Sequence, residues 1–307
     1  MNSLLVVYNT CGISGLENND NYIESLNSIL NQKFKDVKIV VSDCLSGEED
    51  RKKIQNIFAD RLSYCYYDEV LPVTVTFNKT ILESIKRFGE FDGYVYVDSG
   101  IRFINDDQLS ELYDLLMSGP YGMVSAQTND DAGYTENLGT EDLFQDGHFV
   151  IPIGKAVNLH VQIFSNDIQK FYGKCYVDIF ASYCSESVFS FVCAAINKKW
   201  VIHKDVIVNH DRVLHSNSAG FPPLKWVMEG LETYDHPYLV NSVVDIAKKG
   251  QKYGLGYEEC RKIVLHDSQH YNKEGYCVNT ELKEYIKDNL FLSTELLDYD
   301  RIPHLWT

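Results

Sequence analysis

The stretch Gly93-Tyr-Val-Tyr-Val-Asp98-Ser-Gly100 decides the fold of this 307-residue chain. It is a short apolar run of the kind that forms a buried strand in a parallel sheet, and an aspartate follows it directly. Ligands of such sheets bind beyond the carboxyl ends of the strands, which is where Asp98 would lie. There an aspartate can hold a metal-bound diphosphate, or it can simply cap a helix or form a turn.

Strand and helix patterns alternate on both sides of this stretch. We predict strands over 4–8, 37–42, 62–67, 93–97, 157–165 and 200–210, and helices over 22–31, 48–60, 76–88, 106–117, 166–174 and 185–198. Repeated β-α-β units predict a mostly parallel sheet covered by helices on both faces. Thr10 and Asp43 also come at strand ends, so we expect both on the same rim of the sheet as Asp98.

The segment Val37-Lys-Ile-Val-Val-Ser-Asp43-Cys-Leu-Ser46-Gly47 places a second acid on this rim. A carboxylate at Asp43 could accept hydrogen bonds from a nucleobase or a ribose. The plainer interpretation is an aspartate turn, with Ser46 capping the helix that follows.

Glu186 stands at the start of an apolar helical pattern. It is either a first-turn carboxylate favoured by the helix dipole or a general base whose pKa is raised by burial. We favour the base, because no other acid occurs between Asp178 and Asp205. Asp178 is the fallback for the same role.

A third polar group follows the strand that ends in Val206-Ile-Val-Asn209-His210-Asp-Arg212. His210 could be a metal ligand or a phosphate contact, and Arg212 could neutralise a diphosphate. A single histidine after a strand is otherwise a surface residue.

Taken in order, these elements resemble the inverting family 2 glycosyltransferases, whose fold is the α/β GT-A type. Residues 25–32 (SLNSILNQ) match the first-helix pattern of that family, and residues 39–46 (IVVSDCLS) match its second strand. Asn78, Asp98, Glu186 and His210 fall at the family's helix asparagine, its strand-end acid, its base and its late histidine. The resemblance covers about residues 1–215.

The resemblance implies an enzyme that moves a sugar from a nucleotide-sugar donor, a UDP-sugar in our prediction, to a hydroxyl of a saccharide. Thr10, Asp43, Ser46 and Asn78 would contact the donor, with Arg212 at its diphosphate. Asp98 and His210 would hold Mn²⁺ or Mg²⁺ against the phosphates.

In this scheme Glu186 would deprotonate the acceptor for one inverting displacement. The family's second metal acid is replaced by Gly100, and the residue after its base is Ser187 instead of an acid. Both departures bear on metal binding and on the base.

We predict two regions: a GT-A nucleotide-sugar-binding and catalytic domain over 1–215, and a C-terminal region over 216–307 on the acceptor side or acting as a lid. Beyond residue 224 only helical periodicities occur. No stretch reaches the roughly 20 apolar residues of a membrane span, and the start of the chain lacks signal-peptide features. We therefore expect a cytoplasmic protein, in the host cytoplasm if it is viral.

The net charge and the cysteines argue against certain binding partners and against two kinds of cysteine site. A net charge of −16 argues against general binding to nucleic acid. The eight cysteines form no Cys-x-x-Cys pair, which favours buried free thiols over a zinc site or disulfides.

Three alternatives remain open. Hydroxymethylated DNA bases of a phage are a minority alternative acceptor. A nucleotidyltransferase would need a basic phosphate loop after the first strand, where no Lys or Arg occurs. A non-catalytic nucleotide-sugar-binding module would have no use for a positioned base such as Glu186.

Overall fold

The structure, a computed structural model, describes residues 3–11, 19–44, 46–68, 71, 73–129, 144–145, 147–153, 160–176, 189–210 and 299–307, and single positions 280 and 284. Within these ranges no helix is both long enough and apolar enough to cross a membrane.

The described strands form one mixed sheet. Their bounds are β1 Ser3–Cys11, β2 Asp36–Cys44, β3 Ser63–Tyr67, β4 Gly93–Asp98, β5 Ile101–Arg102, β6 Tyr121–Thr128, β7 Phe144–Gln145, β8 His148–Ile151, β9 Val161–Ser165, β10 Lys199–His210 and β11 Leu305–Trp306. The order across the sheet is β11-β3-β2-β1-β4-β9-β6-β10-β8-β7, and β5 pairs with β10 off this path. Strands β3, β2, β1 and β4 are parallel neighbours, as predicted. Strand β9 runs opposite to both β4 and β6.

Helices cover the sheet on both faces. They are α1 Asn19–Leu30, α2 Glu48–Phe58, α3 Val73–Phe88, α4 Gln108–Ser118, α5 Asn166–Tyr172 and α6 Phe189–Ala195. Side chains of each strand alternate between the two layers of core, as the period of two requires. Along β1, Leu5 and Val7 join the layer under α3, while Leu4, Val6 and Tyr8 join the layer under α1, α2 and α4.

Five strands were not predicted from the sequence: the short strands β5, β7 and β8, and the strands β6 and β11. Strand β6 lies in the interior of the sheet, between β9 and β10. Strand β11 lies at the end of the chain and pairs antiparallel with β3, so Trp306 stands opposite Cys65. Leu305 and Trp306 therefore belong to the same sheet as the strands of the predicted N-terminal region, although the sequence showed only helical patterns after residue 224. Apart from residues 299–307 and positions 280 and 284, the predicted region 216–307 lies outside the described residues.

Candidate functional site

The polar ends of the parallel strands meet on one rim, as predicted. In the register of β1 with its neighbours, Thr10 pairs with Asp43 of β2, and Asn9 pairs with Asp98 of β4. Asp43 is the second-last residue of β2 rather than a turn residue, and it is buried with 1% of its surface exposed. The rim therefore has one carboxylate on each side of β1: Asp43 on β2 and Asp98 on β4.

Asp98 is fixed by three hydrogen bonds. Its backbone N–H donates to the carbonyl of His160 at 3.0 Å. One carboxylate oxygen accepts the N–H of Ser99 at 2.9 Å, and the other lies 3.2 Å from Nδ1 of His160. The carboxylate is 22% exposed, so it is oriented by the protein and still reachable from the rim.

Gly100 completes the turn after Asp98 in a conformation that favours glycine. Its φ is +83°, in the region that side chains with a Cβ rarely adopt. Its N–H donates to the hydroxyl of Tyr8 at 3.3 Å. The turn sends the chain back as β5, where Ile101 pairs with His210 of β10. The absence of the second acid therefore coincides with a backbone requirement for glycine at this position.

His210 lies against His160, the residue that contacts Asp98. Their rings stack with centroids 3.9 Å apart and planes 28° apart, and the backbone N–H of His210 donates to the side chain of Asn129 at 3.2 Å. His160 was not singled out from the sequence, where it falls inside a predicted strand. One signal could have found it: a polar residue at the start of a strand antiparallel to β4 lies on the same rim as the end of β4.

Tyr22 of α1 is a second rim residue that the sequence analysis missed. Burial is the main reason that the pKa of its hydroxyl is raised, and the carboxylates of Asp43 and Asp98 raise it further. The hydroxyl lies beside Thr10 and Ser99, so the tyrosine stays neutral between the two acids and can donate a hydrogen bond there.

Ser46 and Arg51 follow β2 in the chain and are bound to each other. Ser46 is buried, and its carbonyl accepts a 2.6 Å hydrogen bond from Nε of Arg51. The suggested helix cap by Ser46 is wrong, because Gly47 occupies the N-cap position of α2 and no side chain caps the helix there. The guanidinium of Arg51 also lies 4.8 Å from the centre of the Tyr66 ring, which stands opposite Asp43 in β3.

Asn78 lies inside the protein, in α3, with no exposed surface. Its amide nitrogen donates to the carbonyl of Tyr176 at 2.7 Å and to the hydroxyl of Tyr299 at 3.0 Å. Its oxygen accepts the N–H groups of Cys175 and Tyr176 at 3.3 and 3.0 Å. These bonds use the full capacity of the amide, so the predicted contact with a donor would have to replace one of them.

Three predicted site residues, Asp178, Glu186 and Arg212, lie outside the described residues. The first two belong to segment 177–188, and the structure does describe the residues on either side of it. The rings of Tyr176 and Phe189 touch, with centroids 4.8 Å apart, and Tyr176 also donates a 2.7 Å hydrogen bond to Gln162 of β9. The two described residues that flank segment 177–188 thus contact each other, and Tyr176 is bound to β9, the strand that follows His160.

The donor set of the rim can be compared with what a divalent cation needs. Within the described ranges, no group of three His, Cys, Asp or Glu side chains could hold a metal ion. Asp98 and His210 offer one carboxylate and one imidazole, and a cation that binds a diphosphate takes its remaining ligands from phosphate oxygens and water. A carboxylate with an imidazole fits Mn²⁺ better than Mg²⁺, which prefers oxygen ligands.

Comparison with known proteins shows the fold. No family model and no curated relative matches the sequence. The structure of the mannosyltransferase PcManGT from Pyrobaculum calidifontis, in complex with GDP-Man and Mn²⁺, matches with a TM-score of 0.54 and 12% identity, over 95% of this chain and 72% of that one. S. aureus TarS matches with a TM-score of 0.51 and 11% identity, over 89% of this chain and 55% of TarS. The predicted resemblance to glycosyltransferases of the GT-A type is confirmed at the level of the fold.

Proposed function

We propose that this protein is a glycosyltransferase that transfers a sugar from a nucleotide-sugar donor, a UDP-sugar in the first instance, to a hydroxyl of a saccharide. The observation that carries the proposal is the rim itself. Within a glycosyltransferase fold, the ends of three parallel strands bring Thr10, Asp43 and Asp98 together, with His210 close by. The match to a mannosyltransferase in complex with GDP-Man and Mn²⁺ supports this reading of the rim.

The base and ribose of the donor would bind at Thr10 and Asp43, with Ser46 at the edge of the same pocket. The buried carboxylate of Asp43 accepts hydrogen bonds from N–H or O–H groups, and burial strengthens such bonds because water does not compete for them. The neutral hydroxyl of Tyr22 adds a donor between the two carboxylates. This pocket therefore suits the polar edge of a nucleoside.

The diphosphate would lie towards Asp98, His210 and Arg212. Asp98 and His210 would hold the Mn²⁺ or Mg²⁺, which when bound offsets the negative charge on the leaving nucleotide. His160 keeps the Asp98 carboxylate in place through the 3.2 Å contact. Arg212 would pair with a phosphate through its planar guanidinium.

Glu186 would act as the general base, with Asp178 as the fallback. The acceptor hydroxyl loses its proton to this carboxylate as its oxygen bonds to the anomeric carbon, and the bond from that carbon to the diphosphate breaks on the opposite side. One such displacement inverts the configuration at the anomeric carbon. Both acids belong to the stretch of sequence between Tyr176 and Phe189, two residues whose rings are in contact.

The test is a donor screen. Release of nucleotide is measured for a panel of UDP-, GDP- and other nucleotide sugars, with Mn²⁺, with Mg²⁺ and with EDTA, on the wild type, Glu186→Gln and the control Glu90→Gln on the surface. We expect one nucleotide to be released in a metal-dependent reaction, and Glu186→Gln to bind that donor but to react at least about 100-fold more slowly. If calorimetry detects no binding of any nucleotide sugar, the proposal is wrong.

A further inference from the structure

Helix α1 holds the segment that follows Asp98 by a row of hydrogen bonds. Three side chains of α1 bond to the backbone of every second residue of this segment: Ser25 to Ile101, Ser28 to Phe103 at 3.0 Å and Gln32 to Asn105 at 2.7 Å. All three helix residues belong to the pattern over 25–32 that resembles the first helix of the family. The pattern therefore fixes the chain after Asp98 relative to α1.

The turn between Asp98 and β5 is held by a buried tyrosine of β1. The hydroxyl of Tyr8, a residue with no exposed surface, accepts the N–H of Gly100 at 3.3 Å and lies beside Ser25. Because the hydroxyl of Ser25 donates its own proton to the carbonyl of Ile101, its oxygen can accept the proton of Tyr8. One chain of hydrogen bonds thus begins and ends on the backbone of residues 100 and 101, and burial strengthens it because water does not compete.

A second tyrosine links this turn to the end of β1. Tyr22 of α1 is 2% exposed, and its hydroxyl lies beside Ser99 in the turn and beside Thr10 of β1. The carboxylates of Asp43 and Asp98 both act on this hydroxyl electrostatically. Tyr22 therefore lies between the turn that follows Asp98 and the proposed nucleoside pocket.

The orientation of the Asp98 carboxylate depends on this turn. One of its oxygens accepts the N–H of Ser99 at 2.9 Å, so a displacement of the turn moves the carboxylate with it. Gly100 has more conformational freedom than any residue with a Cβ, so the turn needs restraint from its surroundings. The two tyrosine hydroxyls and Ser25 supply that restraint.

We propose that Tyr8 and Tyr22 are positioning residues for Asp98, and that their hydroxyls fix the turn that directs its carboxylate towards the metal ion. This inference rests on the proposed function, in which Asp98 helps to hold the ion. It gives Tyr8 a role at the site without a contact to the donor. It also gives the first-helix pattern a role, because Ser25 connects Tyr8 to the turn.

The first experiment needs no nucleotide. Hydrogen exchange of the Gly100 amide is measured in the full chain for the wild type, Tyr8→Phe and Tyr64→Phe. Tyr8→Phe removes the oxygen that accepts this N–H. Tyr64→Phe is the matched control, because the buried hydroxyl of Tyr64 lies in the same layer of the core and has no hydrogen-bond partner among the described residues. We expect exchange to be about 3- to 10-fold faster in Tyr8→Phe and to change less than about 2-fold in Tyr64→Phe.

The second experiment measures metal binding apart from the reaction. Mn²⁺ is titrated by calorimetry in the presence of the nucleotide found in the screen, and nucleotide binding alone is measured in EDTA. Tyr8→Phe should weaken Mn²⁺ binding about 10-fold and keep the nucleotide Kd in EDTA within about 2-fold, because the lost bond belongs to the turn. Tyr22→Phe should weaken both, because its hydroxyl also lies beside Thr10. Tyr64→Phe should keep both wild-type values.

The outcomes separate the two proposals. Equal exchange of the Gly100 amide in Tyr8→Phe and Tyr64→Phe overturns the contact, and faster exchange with wild-type affinity for Mn²⁺ overturns the positioning role. Equal losses of Mn²⁺ affinity and of metal-free nucleotide affinity in Tyr8→Phe overturn it as well, since they indicate a general loosening of the rim. A wild-type chain that binds no nucleotide, with or without Mn²⁺, overturns the proposed function and the metal role with it, and the exchange data then decide whether Tyr8 holds the turn.

Discussion

Replacing Gly100 tests whether the backbone conformation at this position is the reason that glycine stands there instead of a second acid. The φ of +83° costs a residue with a Cβ about 1–2 kcal/mol. The less flexible unfolded chain returns about 0.4–1 kcal/mol of this, so Gly100→Ala should lower the free energy of unfolding by about 1 kcal/mol. Gly100→Asp should cost more than Gly100→Ala, because its carboxylate enters a buried turn two residues from Asp98.

Gly89 supplies the matched control for this prediction. Its φ is +87° and nothing lies within 4 Å of an added Cβ, so Gly89→Ala should show the backbone cost alone, again about 1 kcal/mol. The assay is urea denaturation, with calorimetric titration of Mn²⁺ in the presence of nucleotide. We expect both Gly100 variants, and not Gly89→Ala, to weaken Mn²⁺ binding, since the turn leads into the strand that pairs with His210. A Gly100→Asp protein as stable as the wild type, or one that binds Mn²⁺ more tightly, would refute the reasoning.

Three further predictions concern other parts of the sheet. His160→Phe keeps an aromatic ring beside His210 but loses the contact with Asp98, so Mn²⁺-dependent nucleotide binding should weaken about 10-fold. His160→Asn keeps a hydrogen-bond donor and should weaken this binding less. Equal losses of affinity for the two variants in calorimetry would contradict the prediction. The rings of His148 and His203 lie with their centres 4.8 Å apart, and burial lowers the pKa of each below its ordinary 6.5. The unfolded chain therefore takes up protons first as the pH falls, so the stability of the protein should decrease below about pH 6.5. The Tm of His148→Asn should fall less than that of the wild type between pH 7.5 and 5.5, and an equal fall would count against this explanation. Trp306→Ala removes a ring that packs on Arg87 at 4.7 Å and on Phe88 at 6.0 Å and leaves the backbone pairing of β11 with β3 in place. Urea denaturation should show a loss of about 1–2 kcal/mol, and no loss would mean that these ring contacts add nothing to stability.

Local patterns were enough to predict the parallel half of the sheet. Strands β1, β2 and β4 are apolar runs that end in polar residues, and the helices that follow the strands carry their apolar residues at helical spacing. Because parallel strands end on the same side, the rim position of Thr10, Asp43 and Asp98 followed without any knowledge of distances. The burial of Asp43 did not follow, since it depends on what packs over the end of β2.

Strand β6 was missed because its residues look unlike a strand. Gly122 and Ser125 are poor strand formers, but the tertiary structure requires a small residue at the first position and a hydrogen-bond acceptor at the second. A Cβ at Gly122 would lie 3.1 Å from the sulfur of Cys193, and the hydroxyl of Ser125 accepts the indole N–H of the buried Trp200 at 2.9 Å. These contacts come from residues about 70 positions away, so no local window contains the reason for them.

The residues around Asp98 show how tertiary contacts alter the meaning of a motif. Glycine at position 100 replaces the second carboxylate of the motif and allows the turn that follows Asp98. After this turn the chain forms β5, which pairs with the end of β10. That pairing involves His210 itself, whose ring stacks on His160, and His160 in turn contacts Asp98. The family motif would supply a second acid at position 100. In this protein two imidazoles from distant parts of the chain, those of His160 and His210, are near Asp98 instead. Since imidazole nitrogen binds Mn²⁺ more readily than Mg²⁺, the same turn that removes the second acid favours Mn²⁺ as the metal of the proposed reaction.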